Sequence, residues 1–228
     1  MKNFNLSLIE KKEIAQDILS LRFTKPQDLQ FDAGQFIQFL IPDKEKQHKR
    51  AYSIASAPKD DSLEFIVKLW PNGKASQLFQ DLQPGETCDT RGPMGHFTDT
   101  TTSPLILVGT GTGLAPILGI IQNRLVHEQS TKPIYLLAGF RTEKDIFKEE
   151  YLKNIAKKYS NFIQKITLSQ PKTHSDIYQK GRVTDHILNH ISDDNRYMLC
   201  GNPAMVQEVR SILTKNNISS EHITFEMY

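Results

Sequence analysis

"TDTTTSPLILVGTGTGLAPILGII", residues 98–121, is where the chain changes rhythm. Its polar, threonine-rich opening is turn material. "LILVG" is then a continuous apolar run of strand length, a glycine-rich loop follows, and "LAPILGII" resumes at helical spacing. A buried strand passing through such a loop into a helix is the opening unit of a parallel sheet covered by helices, because parallel strands need crossover connections. Glycines at 109, 111 and 113 let the backbone turn sharply and approach a ligand. The helix start beyond them offers free N–H groups and the positive end of a dipole to a phosphate. Thr110 and Thr112 could add hydroxyl donors, and Pro116 fits the first helical turn, where its missing N–H costs little. The loop alone is equally a tight turn of any α/β protein. Leu114 stands where the third glycine of G-x-G-x-x-G would be, and no acid ends the next strand, "LLAGF", to hold a ribose 2′-hydroxyl. A transmembrane reading of residues 104–121 is disfavoured by four glycines and an internal proline.

Downstream, strands and helices alternate. "PIYLLAGF" reads as a buried strand, "EKDIFKEEYLKNIAKKY" as a charged helical run, "FIQKITLS" as a strand and "RVTDHILNHI" as helix-like; strand "RYMLC", helix "AMVQEVRSILTKN" and strand "HITFEMY" follow. Such a chain wraps both faces of a parallel sheet and binds ligands at the carboxyl ends of its strands. Upstream, "NLSLIEKKEI", "ILSLRFTK", "QFIQFLIP", "RAYSIAS" and "SLEFIVKLW" are short alternating runs separated by turn segments, and only "KASQLFQDL" suggests a helix. The expectation is two domains: residues 1–100 an antiparallel β-barrel, residues 101–228 an α/β parallel-sheet domain, with a cleft between them.

Composition bounds the function. The chain has 228 residues, 38% hydrophobic and 24% charged, with a formal net charge of +2 and no basic stripe or block, so a dedicated nucleic-acid binder is not indicated. Cys88 and Cys200 are the only cysteines, which excludes a disulfide framework and a four-cysteine metal or iron–sulfur site within this chain. "MKNFNLSLIEKKEIAQ" has no continuous apolar core of a secretory signal, so the expected compartment is the cytoplasm.

Two further segments carry polar chemistry. In "WPNGKASQLF", residues 70–79, Gly73 permits an unusual turn and Ser76 stands near a helix start, where an anion or an ordinary cap would sit. In "RAYS", residues 50–53, an arginine, a tyrosine and a serine share one strand. That is either a half-buried strand with polar residues facing water or one that grips an anion and a flat ring.

Taken together, "RAYS", "GKAS" (73–76), the following "LQPGE" and "GPMGHF", "GTGLAP" (111–116) and "CGNPAMV" (200–206) resemble, in order, the ferredoxin–NADP reductase superfamily of flavoproteins, over nearly the whole chain. The resemblance implies an FAD-binding barrel followed by an NAD(P)-binding domain. It implies a flavin contact set of Arg50, Ala51, Tyr52 and Ser53, then Ile66, Val67 and Lys68, then Gly73, Lys74, Ala75 and Ser76. Arg50 would pair with the FAD pyrophosphate, Tyr52 would lie against the flavin, and Ser53 would place its hydroxyl near flavin N5. The coenzyme would meet Gly111, Thr112, Gly113, Arg141, Ser169, Cys200, Gly201, Asn202 and Met205. Ser53, Cys200, Glu226 and Tyr228 would form the redox centre: Cys200 beside nicotinamide C4, Glu226 relaying protons or orienting the nicotinamide, and Tyr228 stacking on the flavin.

The implied activity is FAD-dependent transfer of hydride from NAD(P)H, with electrons passed to a separate acceptor such as ferredoxin or flavodoxin. NAD(P)H:flavin reductase and the reductase component of an oxygenase are alternatives. A nucleotide-binding regulatory module without turnover is the alternative from another class. NADPH is preferred over NADH because no acid is seen to repel its extra phosphate. "PDKEKQHKR", residues 42–50, is a candidate docking loop for an acidic carrier.

Overall fold

The structure, a computed structural model, describes residues 2–42, 47–173 and 177–228. Six antiparallel strands form the first half: β1 (Lys2–Ala15), β2 (Ile18–Thr24), β3 (Phe36–Ile41), β4 (His48–Ser53), β5 (Ser62–Lys68) and β6 (Thr87–Met94), with helix α1 (Lys74–Asp81) between the last two. They run in the order β4-β3-β6-β1-β2-β5. A bridge between Ile54 and Phe65, with the Ala55 N–H donating to the Glu64 carbonyl at 2.7 Å, joins the end of β4 to β5. That closure turns the sheet into a barrel and removes its open edges. β1 serves two partners, pairing with β6 over residues 2–7 and with β2 over 8–15, and register shifts after Leu8 and Glu13 bend it between them. Inward residues of alternating strands fill the interior. Phe39 is the hub, with ring centroids 5.5 Å from Phe23, 5.1 Å from Phe65 and 5.2 Å from Phe79 of α1.

The second half contains β7 (Leu105–Thr110), α2 (Leu114–Gln122), β8 (Ile134–Phe140), α3 (Glu149–Lys158), β9 (Phe162–Leu168), the two-residue β10 (Gln179–Lys180), β11 (Arg196–Gly201), α4 (Pro203–Lys215) and β12 (Ile223–Met227). Its parallel sheet has the order β10-β9-β8-β7-β11-β12. Successive side chains of β7 serve opposite faces: Leu105 and Leu107 pack with α2 and α3, Ile106 and Val108 with α4.

Four elements differ from the sequence expectation. β6, "TCDTRGPM", was not anticipated, because its polar and Gly-Pro composition hides a strand held by partners on both sides. "RVTDHILNHI" forms two short 3₁₀ turns, residues 183–185 and 187–190, instead of a helix. The Asp185 carboxylate accepts the Arg182 N–H at 2.7 Å and closes the first turn on itself. In "EKDIFKEEYLKNIAKKY" the left-handed Lys148 (φ 58°) starts α3 only at Glu149, and residues 143–145 make a separate turn. The helical run after the glycine loop ends α2 at Gln122 and continues as a wider turn over 123–127.

The two halves share a core. Ile18, Ala33, Ala55, Ile66 and Phe97 of the barrel join the apolar cluster under α2 and α3. Polar clamps flank it: both Asp60 carboxylate oxygens accept from Gln122 Nε2 at 2.9 Å, His127 Nε2 lies 3.0 Å from Asp60, and Lys148 Nζ lies 2.7 Å from Glu64. Buried Arg124 ties down the connecting segment, pairing with Asp99 at 3.2 Å and donating to the carbonyls of Thr101 and Ser103. Burial raises the Asp99 carboxyl despite that partner. Among the described residues no helix is long and apolar enough to cross a membrane.

Candidate redox site at the domain seam

On the barrel side, β4 leaves Arg50 and Ala51 exposed, Tyr52 half-buried and Ser53 buried. Arg50 donates to the Lys49 carbonyl at 2.9 Å. The Tyr52 ring meets Phe39 and Phe79 edge-on, at centroid distances of 5.7 and 5.2 Å, and burial pushes its hydroxyl up to about 12 although Arg50 pulls the other way. α1 begins after Gly73 with no side-chain cap, and the positive end of its dipole suits an anion. Ser76 does not supply that cap: its hydroxyl accepts the Trp70 N–H at 2.7 Å and holds the loop before the helix. Lys74 Nζ lies 3.0 Å from His48 Nε2, and Ala75 is buried. An exposed guanidinium, an aromatic ring and an uncapped helix start suit a flavin dinucleotide. Ile66 and Val67 are not brought to this surface; their side chains are buried in the cores, whereas Lys68 is exposed over the Trp70 ring, 4.9 Å from its centroid.

On the sheet side, the loop after β7 packs tightly against β11. A Cβ on Gly113 would stand 2.3 Å from the Cys200 carbonyl oxygen, so only glycine fits there. The Thr110 hydroxyl accepts the Asn202 N–H at 3.1 Å, while Asn202 caps α4 through the Ala204 N–H at 2.9 Å. Loop and helix start are thereby fixed to each other.

Four side chains from both halves meet between these surfaces. Cys200 and Glu226 are register partners on β11 and β12. Ser53 lies beside Glu226 and Tyr228, close enough to oppose the rise of both pKa values. The Cys200 thiol donates to the Tyr228 hydroxyl at 3.4 Å, and that hydroxyl donates to the Thr112 carbonyl at 3.1 Å. Tyr228 remains 55% exposed, yet its hydroxyl sits inside the group and is pushed well above its ordinary value, by burial first and then by Cys200. Burial raises the Cys200 thiol to about 12, with Glu226 adding to it. The Glu226 carboxyl is also raised by burial, and its Oε2 has no hydrogen-bond partner. A buried carboxyl with a raised pKa, a serine hydroxyl and a phenol thus stand together, the groups that proton handling at a redox centre needs.

A cavity of about 740 Å³ runs from this group along the carboxyl ends of the sheet. It is lined by Lys68 and Tyr228 and by the anticipated Gly111, Thr112, Arg141, Ser169, Gly201, Asn202 and Met205. Sequence reasoning missed Trp70 on the barrel wall and Thr167, Arg182 and Thr184 on the far wall. Trp70, 64% exposed, is the only tryptophan and stands three residues before Gly73, and that placement was the available signal. Arg141 Nε donates to Gln170 Oε1 at 2.9 Å. The premise behind the NADPH preference, that no acid stands nearby, does not hold. Asp145 lines the cavity, and the carboxylate of Glu143 accepts the Lys172 and Thr173 N–H groups at 3.0 Å and the Thr173 hydroxyl at 2.9 Å. Those bonds hold the Glu143 carboxyl at about 2. The docking loop proposed for residues 42–50 lies partly outside the described residues, which omit 43–46.

Comparison with known proteins covers both halves of the chain. Residues 5–98 match the oxidoreductase FAD-binding domain and residues 107–211 the oxidoreductase NAD-binding domain. The chain is 33% identical over 219 residues to the ferredoxin–NAD(P)(+) reductase component of the naphthalene 1,2-dioxygenase/salicylate 5-hydroxylase systems of Ralstonia sp., covering 92% of this chain and 64% of that protein. It is 31% identical over 215 residues to the corresponding component of Pseudomonas putida, covering 91% and 63%. The chain thus spans a little under two thirds of these relatives. Among solved structures, the cytochrome P450 reductase GcoB of Amycolatopsis superposes with a TM-score of 0.89 at 28% identity, over 99% of this chain and 69% of that one. A ferredoxin NADP⁺ reductase from Neisseria gonorrhoeae shares the fold, with a TM-score of 0.87 at 21% identity and coverage of 100% and 99%. With a flavin-binding barrel and a nicotinamide-binding sheet in this order, the chain belongs to the ferredoxin–NADP reductase superfamily.

Proposed function

We propose that this chain takes electrons from NAD(P)H onto FAD and hands them to a separate acceptor protein, as a reductase component. The observation that carries the reading is the convergence at one seam: Ser53 from the barrel lies beside Glu226 and Tyr228 from the sheet, and Tyr228 is bonded to Cys200 and Thr112, at the end of a cavity lined by the coenzyme loop. A binding module would need the two anion sites but not this buried, proton-competent group.

The residues divide the work. Arg50 and the uncapped start of α1 hold the FAD diphosphate, and Tyr52 borders the ring system. Residues 111–113 hold the coenzyme pyrophosphate. Bound FAD supplies the chemistry of accepting a hydride and releasing its electrons singly or as a pair. Cys200 and Glu226 set the position of the nicotinamide, and Ser53 with Glu226 holds a proton where the flavin edge would lie. Tyr228 occupies the entrance and swings aside to admit the nicotinamide, a gate on turnover.

The boundary we propose, residues 1–100 and 101–228, falls in the segment between β6 and β7. A ferredoxin is the favoured acceptor, on the analogy of the similar reductase components; flavodoxin, an oxygenase or free flavin would receive electrons in the alternative readings. Two free thiols suit a reducing cytoplasm.

The test is anaerobic mixing of the purified, FAD-loaded chain with NADH or NADPH. Bleaching of the flavin absorbance, followed by its return on adding an oxidised ferredoxin, is the expected result. Retained colour with both coenzymes would mean a module that binds without turnover.

A further inference from the structure

We propose that the adenosine end of the coenzyme is read by two threonine hydroxyls, those of Thr167 and Thr184, which the folded chain holds buried and unpartnered. The inference rests on NAD(P)H being the coenzyme, as argued above.

The sheet order sets the geometry. Cys200 and Glu226 lie on β11 and β12 at one end of the cavity, and the pyrophosphate loop follows β7 in the middle. The remaining half of a dinucleotide must then extend over β8 and β9. Thr110, Gly139 and Thr167 form one register row across β7, β8 and β9. Neighbouring strands are about 4.8 Å apart, so Thr167 stands roughly 10 Å from the loop. Gly139 keeps the floor of this row low. A Cβ there would approach Val183 Cγ1 to 2.9 Å and Thr110 Cγ2 to 3.0 Å, and would lie 3.6 Å from Thr167 Oγ1. Both threonines line the cavity, at 1% and 4% exposure, and neither Oγ1 has a hydrogen-bond partner.

Unspent hydroxyls are not general in this chain. Among the described residues three of the other four buried serines and threonines are hydrogen-bonded. Thr90 donates to the Phe4 carbonyl at 3.0 Å, Ser56 accepts the Glu64 N–H at 3.0 Å and Ser76 accepts the Trp70 N–H at 2.7 Å, while Ser53 lies beside Glu226 at the redox end. The two unpartnered threonines line the same cavity. A buried hydroxyl left unpaired is destabilising, and a ligand that pairs it recovers the loss. An adenine edge or a ribose offers the donors and acceptors a hydroxyl can meet.

The test uses valine, which keeps the shape and removes the hydroxyl. For the FAD-loaded Thr167→Val/Thr184→Val chain, affinity for ADP-ribose should fall about tenfold. The loss in turnover should fall on KM for the coenzyme and not on kcat. Melting of the coenzyme-free variant should shift upward, a sign opposite to the binding loss. Thr167→Ser/Thr184→Ser should restore affinity. Adenosine 5′-monophosphate and ribose 5-phosphate separate the sources: a loss seen with both assigns the hydroxyls to the ribose, a loss confined to the former assigns them to the base. Unchanged ADP-ribose affinity, or a lower melting temperature in the valine variant, would overturn the proposal while leaving the reductase reading intact. A parent chain that binds no ADP-ribose and is reduced by neither coenzyme would overturn both.

Discussion

Glu226 shows how one carboxyl can link stability to function. Burial raises its pKa above that of an unfolded glutamate, which is about 4.3. Between the unfolded and the raised folded value, the native state binds more protons than the unfolded chain, so stability falls as pH rises through that window and then levels off. Glu226→Gln removes the dependence. Its melting temperature should exceed that of the parent at neutral pH, and the difference should shrink as pH drops toward the unfolded value; melts across that range in both proteins check it. The flavin of Glu226→Gln should nonetheless be reduced more slowly. Glu143 poses a different residue-scale question. Its carboxylate accepts the Lys172 and Thr173 N–H groups, just past the Ser169 and Gln170 that line the cavity, where under the proposed binding mode it would compete with a 2′-phosphate. Glu143→Ala should therefore raise affinity for NADPH severalfold while leaving NADH nearly unaffected, as read from titrations with each coenzyme. A single sequence did not reveal this carboxylate, because its partners stand 29 and 30 residues away.

At the scale of elements, the glycine loop after β7 makes two separate demands on its backbone. Gly113 is glycine for want of space, since a Cβ would collide with the Cys200 carbonyl. Gly111 is glycine for its left-handed φ of 53°, with nothing within 4 Å of an added Cβ. Gly113→Ala should lose roughly 3 kcal/mol in urea denaturation, as an overpacked site does, and should lose coenzyme binding because β11 moves. Gly111→Ala should lose about 1–2 kcal/mol, the strain of a left-handed residue with a side chain, and should keep its fold. Sequence spacing marked the loop as a candidate anion site but could not separate these roles, which depend on what lies across from each glycine. The same limit explains β6, whose strand character comes from pairing with β1 and β3 and not from its own residues.

For the whole molecule, the relevant quantity is the fixed relation between barrel and sheet. Asp60 holds Gln122 and His127 across the seam, and Glu64 holds Lys148. Asp60→Ala leaves those polar groups without their partner and should cost about 1–3 kcal/mol in urea denaturation. It should also slow flavin reduction more than it weakens FAD binding, since the diphosphate contacts proposed for FAD lie in the barrel whereas hydride transfer would need both halves aligned. The sequence by itself determined the two rhythms, the two glycine-bearing turns that are candidate anion sites and the strand carrying Arg50, Tyr52 and Ser53, because hydrophobic period, glycine placement and helix starts are local properties. Only the tertiary structure decided that Ser53 meets Glu226 and Tyr228, that Val67 is spent on the barrel core, and that Thr167 and Thr184 face one cavity. Those outcomes depend on closure of the barrel, strand order and register, through which residues far apart in the chain become neighbours.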